Sequence, residues 1–257
     1  MPALRLRDAC GFFCTISKMA TSPSSSSLTQ SVYESLRADL LSCRLRPGSK
    51  LRINDLCKAL EVSPSAVREA LSRLVPEGLV TSEPQRGFRA SPISAADLKA
   101  LTELRVEIEG SCLRRSIQLH DIAWEQQLCA ALHRLSKTIY REASDPQRLN
   151  EQWIAAHTAF HKALVAGCDN PWRLRIREML YTQSERYRRL SVPLAHSGRD
   201  TLKEHTEIVD AALAGDDDRA VALLSSHLKT TTRILLEADI TASMEPSAGQ
   251  FSVTPAT

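Results

Sequence analysis

PGSKLRINDLCKALEVSPSAVREALSRLVPEGLVTSEPQRGFRAS, residues 47–91, decides the fold of the N-terminal part of this chain. Ile53, Leu56 and Leu60 fall at helical spacing in a short helix over 51–60. Glu61-Val62-Ser63 then makes a turn. Ser63 is an N-cap, with Pro64 at the first helical position, so a second helix runs from there to about Leu74. Two short apolar runs follow, 79–82 and 87–90, joined by Glu83-Pro84-Gln85-Arg86, which predicts a β-hairpin. Upstream, Val32, Leu36, Leu40 and Leu41 share one stripe of a helix over 30–45 that Arg46-Pro47-Gly48 ends. Three helices and a hairpin wing make a winged helix-turn-helix over 28–92.

The third helix of that unit has the chemistry of a DNA reader. Its N-terminus offers free N–H groups and the positive end of a dipole, suited to phosphate. Ser63, Ser65 and Arg68 lie on its first turns, and Arg86 with Gly87 lies on the wing. Residues 28–92 hold ten Lys or Arg against seven Asp or Glu, so the basic surplus is local, while the whole chain carries only +3.

Downstream, the segment Ala90-Ser91-Pro92-Ile93-Ser94 reads as a linker with Ser94 an N-cap. Residues 95–240 then show Leu, Ile, Val and Ala at three and four spacings throughout. Breaks at Asp121, Ser144-Asp145-Pro146, Asp169-Asn170-Pro171, 193–198 and Gly215-Asp216 divide them into six helices, 95–119, 121–142, 145–167, 171–190, 199–214 and 217–239. The expected class is mainly α: a winged helix-turn-helix followed by an all-helical antiparallel bundle. The 9 Gly in 257 residues and 5% aromatic content agree with helices over sheets. Residues 1–27 and 241–257 read as polar tails, and the chain's true start is either Met1 or Met19.

Four histidines stand out within the bundle. His157 and His161 share a helix face at i, i+4. His205 and His227 lie ten residues either side of the 215–217 turn, so an antiparallel hairpin brings them to one level. A lone buried histidine is more often a hydrogen-bonded core residue than a ligand, but four converging rings make a divalent-metal site. All-nitrogen donors favour zinc or nickel over calcium or magnesium. His120, His133 and His196 fit no constellation and read as surface or capping residues. The run Arg173, Arg175, Arg177, Arg186, Arg188 and Arg189 reads as a solvated helix face from which one arginine reaches a ligand pocket. Seven scattered cysteines without a C-x-x-C indicate reduced thiols rather than a disulfide framework. No run of about 18 apolar residues is present to cross a membrane.

These motifs resemble a known family. PG-x-x-L at Pro47, Gly48 and Leu51, L-x-x-x-L-x-VS at Leu56 to Ser63, VREAL-x-x-L-x-x-EGLV over 67–80 and RGF at Arg86 to Phe88 closely resemble the GntR-type winged helix of bacterial transcription regulators. LTELRVEIEG, HTAFHKALVAGCDNP and EHTEIVDAALAGDDDRAVALLSSHL resemble the FCD ligand-binding domain of the FadR-like subfamily. The resemblance covers about residues 29–240. It implies a cytoplasmic, non-enzymatic, ligand-responsive regulator. As a homodimer it would bind a double-stranded, inverted-repeat operator, most commonly as a repressor released by its effector. Metal ligands would be His161, His205 and His227, with His157 where the family has Asp. A small carboxylate effector would complete the coordination sphere, and Arg105 of the R-x-x-x-E motif would clamp its far end, unless Arg105 merely pairs with Glu109 along its helix. The family also places Arg directly after the turn serine; Pro64 stands there, so Ser65 and Arg68 carry more of the recognition.

Two rivals remain on sequence alone. One is a metal-free regulator of the same fold sensing acyl or sugar-acid ligands. The other is a His-rich metal-dependent enzyme, for which Glu151 and Glu204 are near in sequence but poorly spaced as bases.

Overall fold

The computed structural model describes residues 25–142, 149–191 and 199–237. The winged unit contains α1 (Ser25–Leu41), β1 (Lys50–Leu51), α2 (Ile53–Leu60), α3 (Pro64–Leu74), β2 (Val80–Glu83) and β3 (Gly87–Ala90). The bundle contains α4 (Ala95–Leu119), α5 (Ile122–Lys137), α6 (Glu151–Leu164), α7 (Pro171–Ser191), α8 (Thr201–Leu213) and α9 (Asp217–Glu237). The mainly helical, two-part class expected from the sequence is the one observed.

In the winged unit the Ser63 hydroxyl accepts from the Ala66 amide at 3.4 Å, with Pro64 at the first turn of α3. Val67, Leu71 and Leu74 pack onto Val32, Leu36 and Leu40 of α1, and Leu79, Val80 and Ala90 close the core from the sheet. The sheet has three strands in the order β1-β3-β2, all antiparallel, with Leu51 opposite Phe88 and Glu83 opposite Gly87 at the wing tip. Gln85 (φ 60°) and Gly87 (φ 90°) turn the hairpin.

Several boundaries differ from the sequence reading. Leu51 ends a strand that pairs with β3 rather than opening a helix, because the wing offers backbone partners that no local pattern announces. α1 stops at Leu41, not at residue 45. Cys43 adopts φ 57°, the Leu45 amide returns to the Asp39 carbonyl at 3.1 Å, and Arg44 pairs with Asp39 at 2.6 Å, satisfying the helix end. α5 stops at Lys137, not at 142. Thr138 is extended, Arg141 bridges Leu149, and the Asn150 amide donates to the Tyr140 carbonyl at 3.1 Å. α6 therefore starts at Glu151 under an Asn150 cap, not at 145. The predicted breaks at 144–146 and 193–198, residues 1–24 and 241–257 of the two tails, His196, Cys10 and Cys14 lie outside the described residues, while residues 25–27 of the predicted tail already belong to α1.

Most caps in the bundle are those read from sequence. The Ser94 hydroxyl accepts from the Asp97 amide at 3.0 Å, Asp121 caps α5, and Asn170 caps α7 with Pro171 first. α4 packs on α7 and α9, α5 on α6 and α8, and α8 on α9. Leu113, Ile117, Trp124, Leu128, Phe160, Leu164, Ile208, Ala212 and Leu224 form the core. The five described cysteines are free thiols. Burial, helped by the adjoining Cys168, pushes the Cys112 thiol up to about 12, so it stays protonated and inert.

Gly167, just after α6, sits hard against Trp124 of α5 and Ser116 of α4. A Cβ there would lie 2.9 Å from Trp124 Cγ and 3.1 Å from Ser116 Cβ, and Trp124 is pinned by its indole N–H donating to the Ala163 carbonyl at 2.9 Å. Gly167→Ala is therefore expected to cost about 1–3 kcal/mol of overpacking. A denaturant midpoint equal to wild type would show that Trp124 yields.

Candidate metal centre

α6, α8 and α9 present their histidines to one buried point. His157 and His161 are one turn apart on the inner face of α6, His205 is one turn into α8, and His227 lies at the matching level of α9. The hairpin arithmetic holds: the His205 and His227 ring centroids are 4.7 Å apart. His157 and His161 are 4.4 Å apart, and His161 lies 5.3 Å from both His205 and His227. One ligand nitrogen from each ring falls within 4.8 Å of all the others. All four residues are buried, none more than 6% exposed.

Burial holds every one of the four imidazoles below its ordinary pKa of 6.5, and the charges of nearby Arg105, Arg177, Arg188 and Arg199 add to the effect. The rings are therefore neutral at pH 7 and keep their lone pairs. Both ring nitrogens of His161 and Nε2 of His205 are buried without a hydrogen-bond partner. Such atoms normally find one, because an unpaired buried polar group costs about 1–3 kcal/mol. Orphaned lone pairs aimed at a common point fit a divalent cation with nitrogen preference.

The surrounding side chains orient the other two rings. Glu204 Oε2 lies 2.7 Å from His227 Nδ1. With the ring neutral, this is Nδ1–H donating to a carboxylate, which leaves Nε2 free. Burial works to raise Glu204, but its hydrogen bonds to Arg199 and His227 prevail and hold it down at about 2. Arg199 grips both Glu204 oxygens at 2.8 and 2.7 Å and donates to Thr231 at 3.0 Å. Tyr181 plays the matching part for His157. Its hydroxyl is 3.3 Å from His157 Nδ1 and donates to Thr158 Oγ1 at 3.3 Å. Burial pushes the phenol up, so it stays neutral. With the Tyr181 proton on Thr158, His157 Nδ1–H donates to the phenol oxygen, and again Nε2 is left free.

A cavity beside the cluster is lined by His157, His161, His227, Tyr140, Trp153, Tyr181, Ser184, four threonines and three arginines. Arg105 is one of the three, and it makes the intrahelical pair with Glu109, at 2.8 Å, that the sequence offered for it. The other two, Arg188 and Arg199, were not anticipated as a pair. Arg188 grips Glu185 at 2.7 and 2.6 Å. Arg199 precedes α8 beside a predicted break and had no spacing to mark it. The reading of the arginine run as a solvated face needs correction. Arg173 and Arg175 are exposed, but Arg177 and Arg186 are buried at 2% and 3%, Arg177 against Glu109 and over the Tyr181 ring at 4.3 Å. A carboxylate or ring on a facing element accommodates these cations, and sequence spacing does not reveal such partners. Trp153, stacked on His157 at 4.7 Å, was likewise missed as a site residue, and Glu204 was weighed only as a base, not as the partner of His227. His120 caps α4 in left-handed conformation and is exposed, as is His133.

Ser63, Ser65 and Arg68 lie together on the exposed N-terminal turns of α3, with the two hydroxyls 3.0 Å apart. Arg86 and Gly87 are exposed at the wing tip, on a separate element.

Acid should loosen the cluster. Each folded ring binds a proton more weakly than its unfolded counterpart, so the unfolded chain takes up protons first. The contribution is present above pH 6.5 and is lost as pH falls below it, by at most about 1.4 kcal/mol per ring per pH unit. Chelated protein should show a lower urea midpoint at pH 5.5 than at 7.5; equal midpoints would mean the rings are not buried neutral.

Residues 28–89 match the family described as bacterial regulatory proteins, gntR family, and residues 100–230 match the FCD domain. Over 209 residues the chain is 39% identical to an uncharacterized HTH-type transcriptional regulator, BphR, of Paraburkholderia xenovorans (strain LB400), covering 81% of this chain and 85% of that one. It is 33% identical to the HTH-type transcriptional repressor GlaR of Escherichia coli (strain K12), covering 80% and 94%. Among solved structures, a putative GntR regulator from Rhodococcus sp. RHA1 superposes with a TM-score of 0.64 at 25% identity, over 82% of this chain and 99% of that one. E. coli McbR/YncC superposes at 0.66 and 22% identity, over 82% and 98%, and shows the same fold.

Proposed function

Because this chain belongs to the GntR family and carries an FCD domain, and so is a DNA-binding transcription regulator rather than an enzyme, we propose that it is a repressor released by a small organic acid held at a metal in the four-histidine cluster. The observation carrying this is the convergence of four buried histidines from three helices, with imidazole nitrogens of His161 and His205 left unpaired. Zinc or nickel suits them best. A bound ion would supply a Lewis-acidic +2 charge not offset by its neutral ligands, so it attracts an anion. Arg105, Arg188 and Arg199 already hold Glu109, Glu185 and Glu204. Their positive charge draws an incoming carboxylate into the cavity, with Arg105 at its far end. Threonine and serine hydroxyls along the wall suit the acid's polar substituents.

The winged units, residues 28–92, read DNA with Ser63, Ser65 and Arg68 in the major groove and with Arg86 and Gly87 of the wing on the backbone. A homodimer places two such units on an inverted repeat. Trp172, Ile176 and Met179 support this, as an exposed apolar stripe at i, i+4, i+7 on α7 that a second copy would cover. A regulator of this kind works in the cytoplasm, where the DNA is.

A thermal-shift series of small carboxylates, with and without chelator, tests the reading. Melting should rise with a fitting acid only while metal is present, by about 2.7 kcal/mol of stability at a hundredfold excess over Kd. A rise that survives chelation would favour the metal-free regulator instead.

A further inference from the structure

α7 has two working faces. At about 100° per residue, Tyr181, Ser184, Glu185 and Arg188 share one side of the helix, and all four line the histidine cavity. Gln183 and Arg186 point from the opposite side, toward the winged unit. Gln183 Nε2 donates to the Glu77 carbonyl, in the turn that joins α3 to β2. It sits so close that a Cβ on Gly78 would meet it at 3.0 Å. Arg186 donates to the carbonyl of Ser91 in the linker, and the Cys43 thiol after α1 donates to the Arg186 carbonyl at 3.7 Å. On the flank, the Tyr187 hydroxyl receives the Ser94 amide at 3.2 Å and donates to Asp97 at 2.5 Å.

The far side of these contacts is braced. The Glu77 carboxylate is held by Tyr33 and, at 2.8 Å, by Arg37, both on α1. Any shift of the 77–78 turn therefore moves the winged unit as a body. The near side is tied to the cluster through Tyr181 and His157. Between the two runs one unbroken helix.

We infer that α7 is the lever through which occupancy of the histidine cavity sets the orientation of the winged unit. Gln183 and Arg186 are its output contacts, and Tyr181 is its input. The inference rests on the metal reading above. A rigid helix cannot move on its cavity side without moving on its opposite side. The contacts it makes there are few and polar, the kind of interface that a ligand's differential binding can bias. Occupancy that fixes His157 also fixes Tyr181, narrows the positions open to α7, and so selects one setting of the winged unit.

Hydrogen exchange on full-length protein, stripped with chelator and then given zinc alone, tests this. The reporters are the amides of Gly78, Leu79 and Ser91, which bond to Val75, Leu74 and Leu79, and of Ser94, which bonds to Tyr187. In wild type, zinc should slow exchange severalfold within 181–188 and also at 77–79 and 91–94. In Gln183→Ala and in Gln183→Ala/Arg186→Gln, neither touching the cluster, the slowing should persist within 181–188 and fall away at 77–79. Unchanged zinc content and an unchanged melting increment on zinc addition would confirm that these variants fold and load. Protection confined to α6, α8 and α9 in wild type, or carried equally well by the variants, would overturn the lever and leave the metal reading standing. Zinc that neither binds nor protects anything would overturn both.

Discussion

His161→Ala should abolish metal retention. Wild-type protein purified without chelator should carry a divalent ion by elemental analysis, and the variant none above background. His161 is the ring whose two nitrogens are both buried and unpaired, and it lies beside each of the other three. Losing it leaves three ligands on an uneven arc. A ligand bound a thousandfold above its Kd stabilises by about 4 kcal/mol, which for a domain of this size is roughly 8–16 °C in Tm. Chelation should lower the wild-type Tm by that order and leave the variant's unmoved. His161→Leu separates metal from packing. Without metal it removes two buried, unpaired nitrogens, so it should melt at or above the chelated wild type. Undiminished metal in either variant would reject the site.

Glu109→Ala should be the most destabilising single change in the bundle outside the cluster. Glu109 is fully buried, bonded to Arg105 at 2.8 Å and approached by Arg177 at 3.8 Å. Arg177 is itself buried at 2%. Removing the carboxylate takes from Arg105 its 2.8 Å partner and leaves buried Arg177 only the exposed Glu178, at 3.2 Å, at a cost of about 3–5 kcal/mol. Glu109→Leu combined with Arg177→Met, which removes both charges, should recover most of that loss. The comparison is made on urea midpoints, and a double variant as unstable as the single would show that packing, not charge, dominates there. Glu109→Ala also frees Arg105 toward the cavity, so residual folded protein should bind anions more promiscuously.

The parts of this molecule that were legible in the sequence are those fixed by short-range chemistry. Ser63-Pro64 starts α3, Ser94 starts α4, and the helix over 95–119 is found with those bounds because cap and periodicity agree. The His205–His227 level was readable because a tight turn converts sequence symmetry into spatial symmetry. Lys50-Leu51 was not readable as a strand, since its partner Phe88-Arg89 lies far along the chain. The same holds for the arginines of α7. A stretch containing Arg175, Arg177, Arg186 and Arg188 carries no local sign of which cations face water and which face Glu109, Glu185 or a backbone carbonyl. Arg199 and Glu204 were hidden for a related reason: their importance comes from His227, on another helix.

The distribution of the cluster over α6, α8 and α9 bears on the birth of the protein. A chain leaving the ribosome exposes His157 and His161 well before His227 exists, and two imidazoles alone form a weak chelate. The clasp shuts only when the final helix docks. An ion held there would therefore act as a late checkpoint, rewarding complete copies and leaving those cut short before α9 open to proteolysis.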